Sequence, residues 1–159
     1  MGESGDCAQL HLPHGTVKAI CISEKKGEQK HDIGEATLVK DHGIEGDAHA
    51  GNWHRQVSLL AVESVAKVQA VLNFDLKAGD FAENILTEGI VLYTLPVGTK
   101  LTMGEAEAEV TQIGKECHHG CAIRELAGDC VMPREGIFVK ILKGGKIKTG
   151  DSIQVTELP

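Results

Sequence analysis

The stretch GKECHHGCAI at residues 114–123 concentrates side chains that can do chemistry. Cys117 and Cys121 bracket the pair His118 and His119, and three kinds of site fit this pattern. Zinc prefers four nitrogen or sulfur ligands, and structural sites often place paired cysteines two to four residues apart. A dithiol redox pair favours a two-residue spacer, which the three-residue spacer here does not match. The third reading is a single reactive thiolate at Cys117, and the decapeptide alone leaves these possibilities open.

The surroundings of Cys117 favour a thiolate. Lys115 and His118 flank it and stabilise the anionic form of sulfur, which is both the nucleophile and the soft metal ligand. Glu116 acts in the opposite direction. For zinc, Cys117, Cys121 and His118 would supply three ligands, and no second cysteine pair at knuckle spacing follows.

A second group of polar side chains lies in the glycine-rich stretch GIEGDAHAGNWHRQVSLL, just before a predicted helix. It contains Asp47, His49, the single Trp53, His54 and Arg55. One interpretation is a surface loop whose tryptophan plugs one end of the fold. The other is a ligand-facing loop in which Arg55 and the histidines contact an anionic group, because functional side chains are often carried on loops.

Two further segments carry candidate residues. Asn84, in AGDFAENILTEG, can hydrogen-bond the backbone in a turn or bind a ligand. Arg134, in DCVMPREGIF, can pair with a carboxylate or complete an anion site with Arg55. Arginine binds carboxylates and phosphates through a planar fork, and the chain has only three of them.

The elements that position these residues are mostly short strands. The patterns indicate strands in GTVKAICIS, EATLVK, AENILTEG, LPVGTKLTMG, EAEAEVTQIG, GIFVKILK and KIKTGDSIQVTEL. One helix is predicted over about residues 61–72, with Ala61, Val65, Val68 and Leu72 on one face. Glu63 and Lys67 form an i,i+4 pair on its outer side.

These elements predict a mainly β fold, a closed or nearly closed barrel with one main helix and short peripheral helices or turns. Residues 1–14 are expected to be a flexible lead-in to a single domain at 15–159. The charged segment EKKGEQKHDIGE is interpreted as a solvated loop, and Gly144-Gly145 as a tight hairpin turn.

Composition narrows the classes of function. A formal charge of −7 in 159 residues disfavours nucleic-acid binding, which requires a basic surface. No apolar run approaches the roughly 18 residues of a membrane-spanning helix, and no signal peptide is recognisable. Five cysteines without an export signal indicate a cytoplasmic protein with reduced thiols.

The order of the segments resembles the MOSC domain, the family named for the C-terminal region of molybdenum-cofactor sulfurases. The resemblance covers about residues 15–157 and suggests a small standalone member. Its successive motifs are GDAHAG, RQVSLLAVES, GDFAENILTEGI, LPVGTKLTMGEAEAEVTQ, a cysteine shortly afterwards, and GIFVKILKGGKIKTGDSI.

The resemblance implies a barrel-like fold and a role with molybdenum or sulfur. Cys117 takes the position of the family cysteine, proposed to carry a persulfide or to ligate the molybdenum of a pterin cofactor. The cofactor phosphate would then meet Arg55, Arg134 and Lys115, with His54 and Asn84 as further candidates. Family members often have proline directly before this cysteine and arginine upstream, where this chain has Glu116 and Gly114-Lys115.

Partners and activity also follow from the resemblance alone. A pyridoxal-phosphate cysteine desulfurase would donate sulfur, or a molybdenum-cofactor enzyme would receive cargo. A molybdenum-dependent reduction of N-hydroxylated small molecules is a further possibility, with electrons supplied by a partner. The alternative from another class is a small zinc-binding module built on Cys117, Cys121 and His118.

Overall fold

The computed structural model describes residues 12–114 and 132–159. The chain forms eleven strands in this part, together with two α-helices and one 3₁₀ helix. The strands are β1 (His14–Ile22), β2 (His31–Asp32), β3 (Glu35–Val39), β4 (Gly43–Ile44), β5 (Val57–Ala61), β6 (Ile85–Glu88), β7 (Lys100–Met103), β8 (Ala106–Ile113), β9 (Ile137–Lys143), β10 (Gly145–Lys148) and β11 (Ser152–Glu157). The helices are α1 (Val62–Gln69), the 3₁₀ helix Leu92–Thr94 and α2 (Met132–Glu135).

Seven strands close into a barrel, which confirms the predicted fold class. Their order is β11-β7-β8-β9-β5-β6-β1, and β1 pairs back onto β11 through His14 and Gln154. The β5–β6 pair is parallel, whereas the other pairs in this ring are antiparallel. Closure leaves no unpaired edge in the ring, the arrangement that protects sheet proteins from edge-to-edge association.

The barrel interior is filled by aliphatic side chains, as the low aromatic content of 3% requires. Along β8 the alternating residues Ala106, Ala108 and Val110 are fully buried. In β5 all five residues are buried, because one face lines the barrel core and the other is covered by α1. Strands buried on both faces are expected to be apolar throughout.

Helix α1 forms where its apolar period predicts, but it ends at Gln69, earlier than the predicted residue 72. Val68 is buried, and Val65 and Leu72 pack beside it on a small apolar cluster that includes Phe138. Ala61 is the N-cap residue and the last residue of β5, so strand and helix follow each other directly.

The outer side of α1 differs from the prediction. Lys67 binds Glu135 of α2 instead of pairing with Glu63. The carboxylate of Glu63 accepts a hydrogen bond from the backbone N–H of Gly89. Lys67 therefore links α1 to α2, and Glu63 links α1 to the turn at Gly89.

The predicted hairpin at Gly144-Gly145 is wrong. Strand β10 pairs with β3, and β4 completes this separate three-stranded sheet. Gly144 does not have a positive φ angle, so no primed turn forms. A Cβ at Gly144 would lie 2.7 Å from the carbonyl oxygen of Leu38, and one at Gly145 would lie 2.7 Å from Cβ of Glu105. These glycines allow close approach of the backbone, not a tight reversal.

The ordered fold begins before residue 15. Leu12 packs partly against the core, and the carbonyl of Pro13 accepts hydrogen bonds from Val155 and Gln154. The rest of the predicted lead-in, residues 1–11, lies outside the described residues. Within residues 12–114 and 132–159, none of the helices has the length and apolar character needed to span a bilayer.

Candidate functional site

A pocket of about 100 Å³ opens beside the beginnings of β5 and β6. The loop that leads into β5 and the loop that leads into β6 both contribute to its wall. Its lining combines cationic, polar and aromatic side chains: Lys30, His49, Trp53, Arg55, Ser58, Ala82, Asn84 and Phe138. The sequence analysis had singled out Arg55 and Asn84 from separate segments, and the fold brings them together here.

A buried ion pair forms the floor of the pocket. Nζ of Lys30 lies 2.6 Å from Oδ1 of Asp47, and the two side chains are 1% and 0% exposed. The same ammonium group contacts Oγ of Ser23 at 3.3 Å and Nδ1 of His49 at 3.0 Å. An ammonium group has three donors, so all three N–H bonds of Lys30 are used.

Asp47 accepts hydrogen bonds from residues of three different loop segments. Oδ1 accepts from Lys30 and from the backbone N–H of Ser23, at 2.6 and 3.2 Å. Oδ2 accepts from the Asn84 side chain at 3.1 Å and from the backbone N–H of His49 at 3.3 Å. The two oxygens together have about four lone-pair positions, and each is occupied.

Asn84 is equally saturated. Its Nδ2 donates to Asp47 and to the carbonyl of Cys21 at 3.0 Å. Its Oδ1 accepts from the backbone N–H of Ser58 at 3.0 Å and from the Ser58 hydroxyl at 3.3 Å. The backbone-bonding role that the sequence suggested for Asn84 is thus present, and it joins β1, β5 and the loop before β6.

Lys30, Asp47 and Asn84 form one network in which these donors and acceptors are satisfied. A fully satisfied buried network is rigid, whereas a buried charge that loses its partner is strongly destabilising. Because its hydrogen-bonding capacity is already used within the protein, the network holds the wall of the pocket in place.

The loop before β6 packs closely against Lys30. A Cβ at Gly79 would lie 1.9 Å from the Lys30 carbonyl oxygen, so only glycine fits there. Ala82, which lines the pocket, has a φ of 60°, a conformation that is uncommon for residues other than glycine. Glu83 caps this loop by accepting from the N–H groups of Gly79 and Phe81 at 2.8 and 3.1 Å. Burial raises the pKa of Glu83, against these backbone hydrogen bonds, which lower it.

Cys21 is the one cysteine within residues 12–114 and 132–159, and it is a poor nucleophile. Its side chain is fully buried, and burial, assisted by the charges of Glu83 and Asp32, raises the pKa of the thiol to about 12. At neutral pH it is a thiol and not the reactive thiolate. Cys21 contributes its backbone carbonyl, not its sulfur.

The Trp53–Arg55 stretch forms the outer wall. The indole N–H of Trp53 donates to the carbonyl of His49 at 2.9 Å, and the ring is 40% exposed, so Trp53 covers the rim without being buried. His54 is exposed and does not line the pocket. Its ring packs edge-on against Trp53, and its carbonyl accepts from the Thr111 hydroxyl.

Arg55 is held at two points. Its Nε donates to Oε1 of Gln112 at 3.1 Å, and its guanidinium carbon lies 5.3 Å from the centre of the Phe138 ring. Gln112 in turn donates to the carbonyl of Gly114 at 2.8 Å. Among the described residues no other partner is found for the terminal nitrogens of Arg55, which makes it the cation suited to an anionic ligand in this pocket.

Arg134 lies elsewhere. It is exposed on α2, where its charge acts on Glu135 and on Lys67, and it does not line the pocket of Arg55. Those residues border a second cavity of about 290 Å³ between α1 and the 3₁₀ helix. Arg55 lines the first cavity and Arg134 lines neither of these two, so the structure does not bring the two arginines together in one pocket.

The remaining predicted residues, Lys115, Cys117, His118 and Cys121, lie outside the described residues. Within residues 12–114 and 132–159, no cluster of three or more histidine, cysteine or acidic side chains could hold a metal ion.

Sequence reasoning missed Lys30 altogether. It lies in the charged segment that was interpreted as a solvated loop, although its side chain is buried. Nothing local distinguishes it from the exposed Lys25 and Lys26, because its partner Asp47 is 17 positions away. Ser58 was also missed, since it reads as an ordinary residue of a buried strand.

Several solved structures resemble this fold. The YuaD protein of Bacillus subtilis superposes with a TM-score of 0.68 at 16% identity, covering 91% of this chain and 97% of that one. YiiM from Geobacillus stearothermophilus gives a TM-score of 0.69 at 16% identity, over 91% and 76% of the two chains. YiiM from Escherichia coli gives 0.62 at 18% identity, over 91% and 70%. At such identities the likeness concerns the fold.

The sequence comparisons add the family. None of the curated proteins matches this chain. The model of the MOSC domain matches residues 46–154, which include Asp47, Arg55 and Asn84 but not Lys30. The match spans more than half of the chain. The chain belongs to the MOSC domain family.

Proposed function

We propose that this MOSC protein binds an anionic molybdenum–pterin species at the pocket of Arg55 and uses Cys117 as its working thiolate. The thiolate serves either as a ligand of the molybdenum or as a carrier of sulfur in the form of a persulfide. The observation that carries the proposal is the chain of contacts from Arg55 through Gln112 to Gly114. Gly114 is followed three positions later by Cys117.

The proposal that the ligand is an anion rests on the positive charge of Arg55 and on its position in the wall of the pocket. Lys30 and Asp47 neutralise each other, so Arg55 supplies the positive charge that faces a ligand. Stacking on Phe138 and the bond to Gln112 fix the guanidinium plane. Arginine held in this way is suited to the forked recognition of a phosphate or carboxylate.

The described residues fit the anionic end of a molybdenum–pterin cofactor. A cavity of about 100 Å³ is smaller than the roughly 300–1,000 Å³ of typical cofactor sites, so it suits a single phosphate-sized group. Arg55 would hold that group, and the exposed Trp53 ring offers an aromatic surface at the rim. Bound molybdenum would supply redox chemistry, and Cys117 would supply the soft sulfur ligand that such a metal accepts.

The sulfur-carrier variant needs only a thiolate and a donor. The Cys117 thiolate would attack the terminal sulfur of a persulfide on a pyridoxal-phosphate cysteine desulfurase. The new S–S bond forms on Cys117 as the donor S–S bond breaks, and the donor cysteine leaves as a thiolate, so no outside oxidant is required. The high pKa of Cys21 excludes that thiol from this role. Such an exchange belongs to a reducing, cytoplasmic setting.

The test compares the wild-type protein with Cys117→Ser, isolated from cells that make the cofactor. Molybdenum, pterin and persulfide are measured by elemental and mass analysis, with Cys7→Ser as a matched loss of one thiol. We expect Cys117→Ser to lose bound molybdenum or persulfide and Cys7→Ser to retain it. If wild type and Cys117→Ser agree in all three quantities, the proposal fails.

Arg55→Ala tests the anion site separately. Hydrogen bonds to a charged group contribute about 1.5–3 kcal/mol, so we expect pterin affinity to fall roughly 10- to 100-fold. Arg55→Lys keeps the positive charge but lacks the planar guanidinium fork, so we expect its pterin affinity to lie between those of the wild type and Arg55→Ala. Stoichiometric zinc lost on Cys117→Ser, Cys121→Ser or His118→Ala would instead establish the zinc-binding alternative.

A further inference from the structure

The second cavity, of about 290 Å³, lies where α1, the 3₁₀ helix and α2 meet. None of the described residues lines both this cavity and the pocket of Arg55. The uncharged part of its wall is largely apolar and includes Ala61, Ile90, Val91, Leu92 and Tyr93. Val91 and Tyr93 are 53% and 38% exposed, so part of this wall is open to solvent. An apolar wall with a few polar groups is typical of sites for small ligands.

Three charged side chains line this cavity, and two of them neutralise each other. Nζ of Lys67 lies 3.0 and 2.8 Å from the two carboxylate oxygens of Glu135. The hydroxyl of Ser64 also donates to Oε1 of Glu135, at 2.6 Å. The carboxylate of Glu135 is therefore already bound, and the positive charge of Lys67 is compensated.

Glu63 is the third charged group, and its charge is not compensated. Its Oε2 accepts a hydrogen bond from the backbone N–H of Gly89 at 2.9 Å, which holds one side of the carboxylate. Within residues 12–114 and 132–159, Glu63 forms no ion pair and its Oε1 has no hydrogen-bond donor. The cavity therefore contains one carboxylate whose second oxygen is available to a ligand.

We propose that this cavity binds a small organic cation, a primary ammonium or guanidinium group carried on an apolar body. The cationic group pairs with Oε1 of Glu63 through a charge-assisted hydrogen bond. The apolar body packs against Val91 and Leu92. The protein already holds one ammonium group in this way, since Nζ of Lys67 lies 5.7 Å from the centre of the Tyr93 ring and is bound to a carboxylate.

The charges of the lining select against other classes of ligand. An anion would meet the uncompensated Glu63, while the charge of Lys67 is already held by Glu135. A neutral apolar ligand would remove water from the Glu63 carboxylate without replacing its hydrogen bonds, which costs free energy. The pocket of Arg55 has the opposite preference, so the two cavities are expected to separate ligands by the sign of their charge.

The single tyrosine of the chain gives a direct readout of this cavity. Protein labelled with ¹³C-tyrosine shows the ring signals of Tyr93 alone. The wild-type protein is titrated at neutral pH with phenethylammonium, with phenethyl alcohol as the neutral analogue and with hydrocinnamate as the anionic one. We expect phenethylammonium to shift the Tyr93 signals saturably, and the other two ligands to bind about tenfold more weakly. A response to the alcohol or to hydrocinnamate that equals that of phenethylammonium overturns the proposal, as does the absence of a saturable shift.

Two variants at the cavity are expected to act in opposite directions. Glu63→Gln keeps an oxygen for the N–H of Gly89 but removes the charge, so we expect the affinity for phenethylammonium to fall about tenfold. Lys67→Met frees the carboxylate of Glu135, so we expect this affinity to rise. Glu28→Gln removes the same charge from an exposed position outside both cavities and is expected to have no effect. An unchanged affinity in Glu63→Gln, or a lower affinity in Lys67→Met, contradicts the proposal.

The single tryptophan separates this cavity from the pocket of Arg55. Trp53 lines that pocket, and we expect phenethylammonium to leave its indole N–H signal unchanged. A shift of Trp53 without a shift of Tyr93 would place the cation in the wrong cavity and overturn the assignment. None of these measurements involves Cys117, so their outcome is independent of the molybdenum and persulfide assays.

A peptide distinguishes a free amine from a side chain of another protein. A blocked Ala-Ala-Lys-Ala-Ala peptide offers the same ammonium group on a polypeptide. We expect it to bind more weakly than phenethylammonium, because its aliphatic side chain covers less of the apolar wall. Tighter binding of the peptide overturns the assignment of the ligand as a small molecule.

Discussion

Two lysine–carboxylate pairs in this protein have nearly the same length and very different surroundings. Lys30 and Asp47 are 2.6 Å apart with side chains 1% and 0% exposed. Lys67 and Glu135 are 2.8 Å apart, but the lysine side chain is 56% exposed. The first pair lies beneath the pocket of Arg55, and the second joins two helices on the surface.

The difference shows that distance alone does not determine the importance of an ion pair. In the surface pair, water solvates the exposed Lys67 when Glu135 is removed, and Glu135, whose side chain is 13% exposed, keeps its hydrogen bond from Ser64 when Lys67 is removed, so less is lost. In the buried pair, water cannot replace the partner, and an uncompensated charge remains in the protein interior. The buried pair is therefore expected to specify the geometry of the site, while the surface pair makes a minor contribution to stability.

The largest effect is expected from Lys30→Met. It leaves Asp47 buried without its cation, and we expect the free energy of unfolding to fall by about 3–5 kcal/mol. Urea denaturation at neutral pH measures this, with Lys67→Met as the matched control at the exposed pair. The double variant Lys30→Met/Asp47→Asn removes both charges, keeps one side-chain oxygen as an acceptor for this network, and should recover part of the loss. Equal midpoints for Lys30→Met and Lys67→Met would contradict the comparison.

A smaller but clear effect is expected from Asn84→Ala. The substitution removes the side-chain partner of the Ser58 N–H and of the Cys21 carbonyl, and one of the two donors to Oδ2 of Asp47. Unsatisfied buried groups cost about 1–3 kcal/mol each, partly relieved by relaxation, so we expect a loss of about 3 kcal/mol. Asn73→Ala, at an exposed position, is the control in the same denaturation experiment. If Asn84→Ala and Asn73→Ala lose the same free energy of unfolding, the hydrogen bonds of Asn84 do not contribute to the stability of the network.

The smallest effect is expected at the surface pair, and it depends on pH. Burial acts to raise the pKa of Glu135, but hydrogen bonds from Lys67 and Ser64 outweigh it and hold the pKa below its usual range. The stabilisation is thus present above the ordinary glutamate pKa of about 4.3 and is lost as the pH falls through the depressed value. We expect Glu135→Gln to cost below about 1 kcal/mol at pH 7 and progressively less as the pH falls through the lowered pKa of Glu135.

Urea midpoints of wild type and Glu135→Gln between about pH 3 and 7 test this sign. A difference that grows as the pH falls would reverse it. On the alkaline side, the hydrogen bond to Glu135 raises the pKa of Lys67. The stabilisation that the Lys67 ammonium group gives to the folded protein is therefore fully present below the pKa of lysine in the unfolded chain. It is lost as the pH rises through the raised pKa of Lys67 in the folded protein.

Local patterns in the sequence were sufficient for the barrel and its helix. The alternation in β8 and the helical period around Val65 and Val68 report directly on which face is buried. The connections between strands were harder to predict from the sequence. Gly144-Gly145 looks like a turn in sequence, but both glycines respond to neighbours, Leu38 and Glu105, that are distant in the chain.

The sequence predicted only part of the candidate site, because some of its residues are placed by contacts that are distant in the chain. Arg55 and Asn84 stood out as a rare residue type and as a polar residue beside an apolar strand. Lys30 did not, since its burial is determined by Asp47, Ser23 and His49. A charge that is buried through long-range pairing leaves no local signal in the sequence.

Closure of the barrel through β1 and β11 has a consequence for the order of folding. The hydrogen bond from Gln154 to Pro13 spans 141 positions, and β1 also waits for β6 to reach its other side. During synthesis, β1 therefore emerges well before β6 and β11, and in that interval only the two residues of β2 can pair with its end. Folds dominated by such distant contacts form in milliseconds to seconds, more slowly than helical bundles. The interval before β11 is made is thus when this chain is most exposed to self-association.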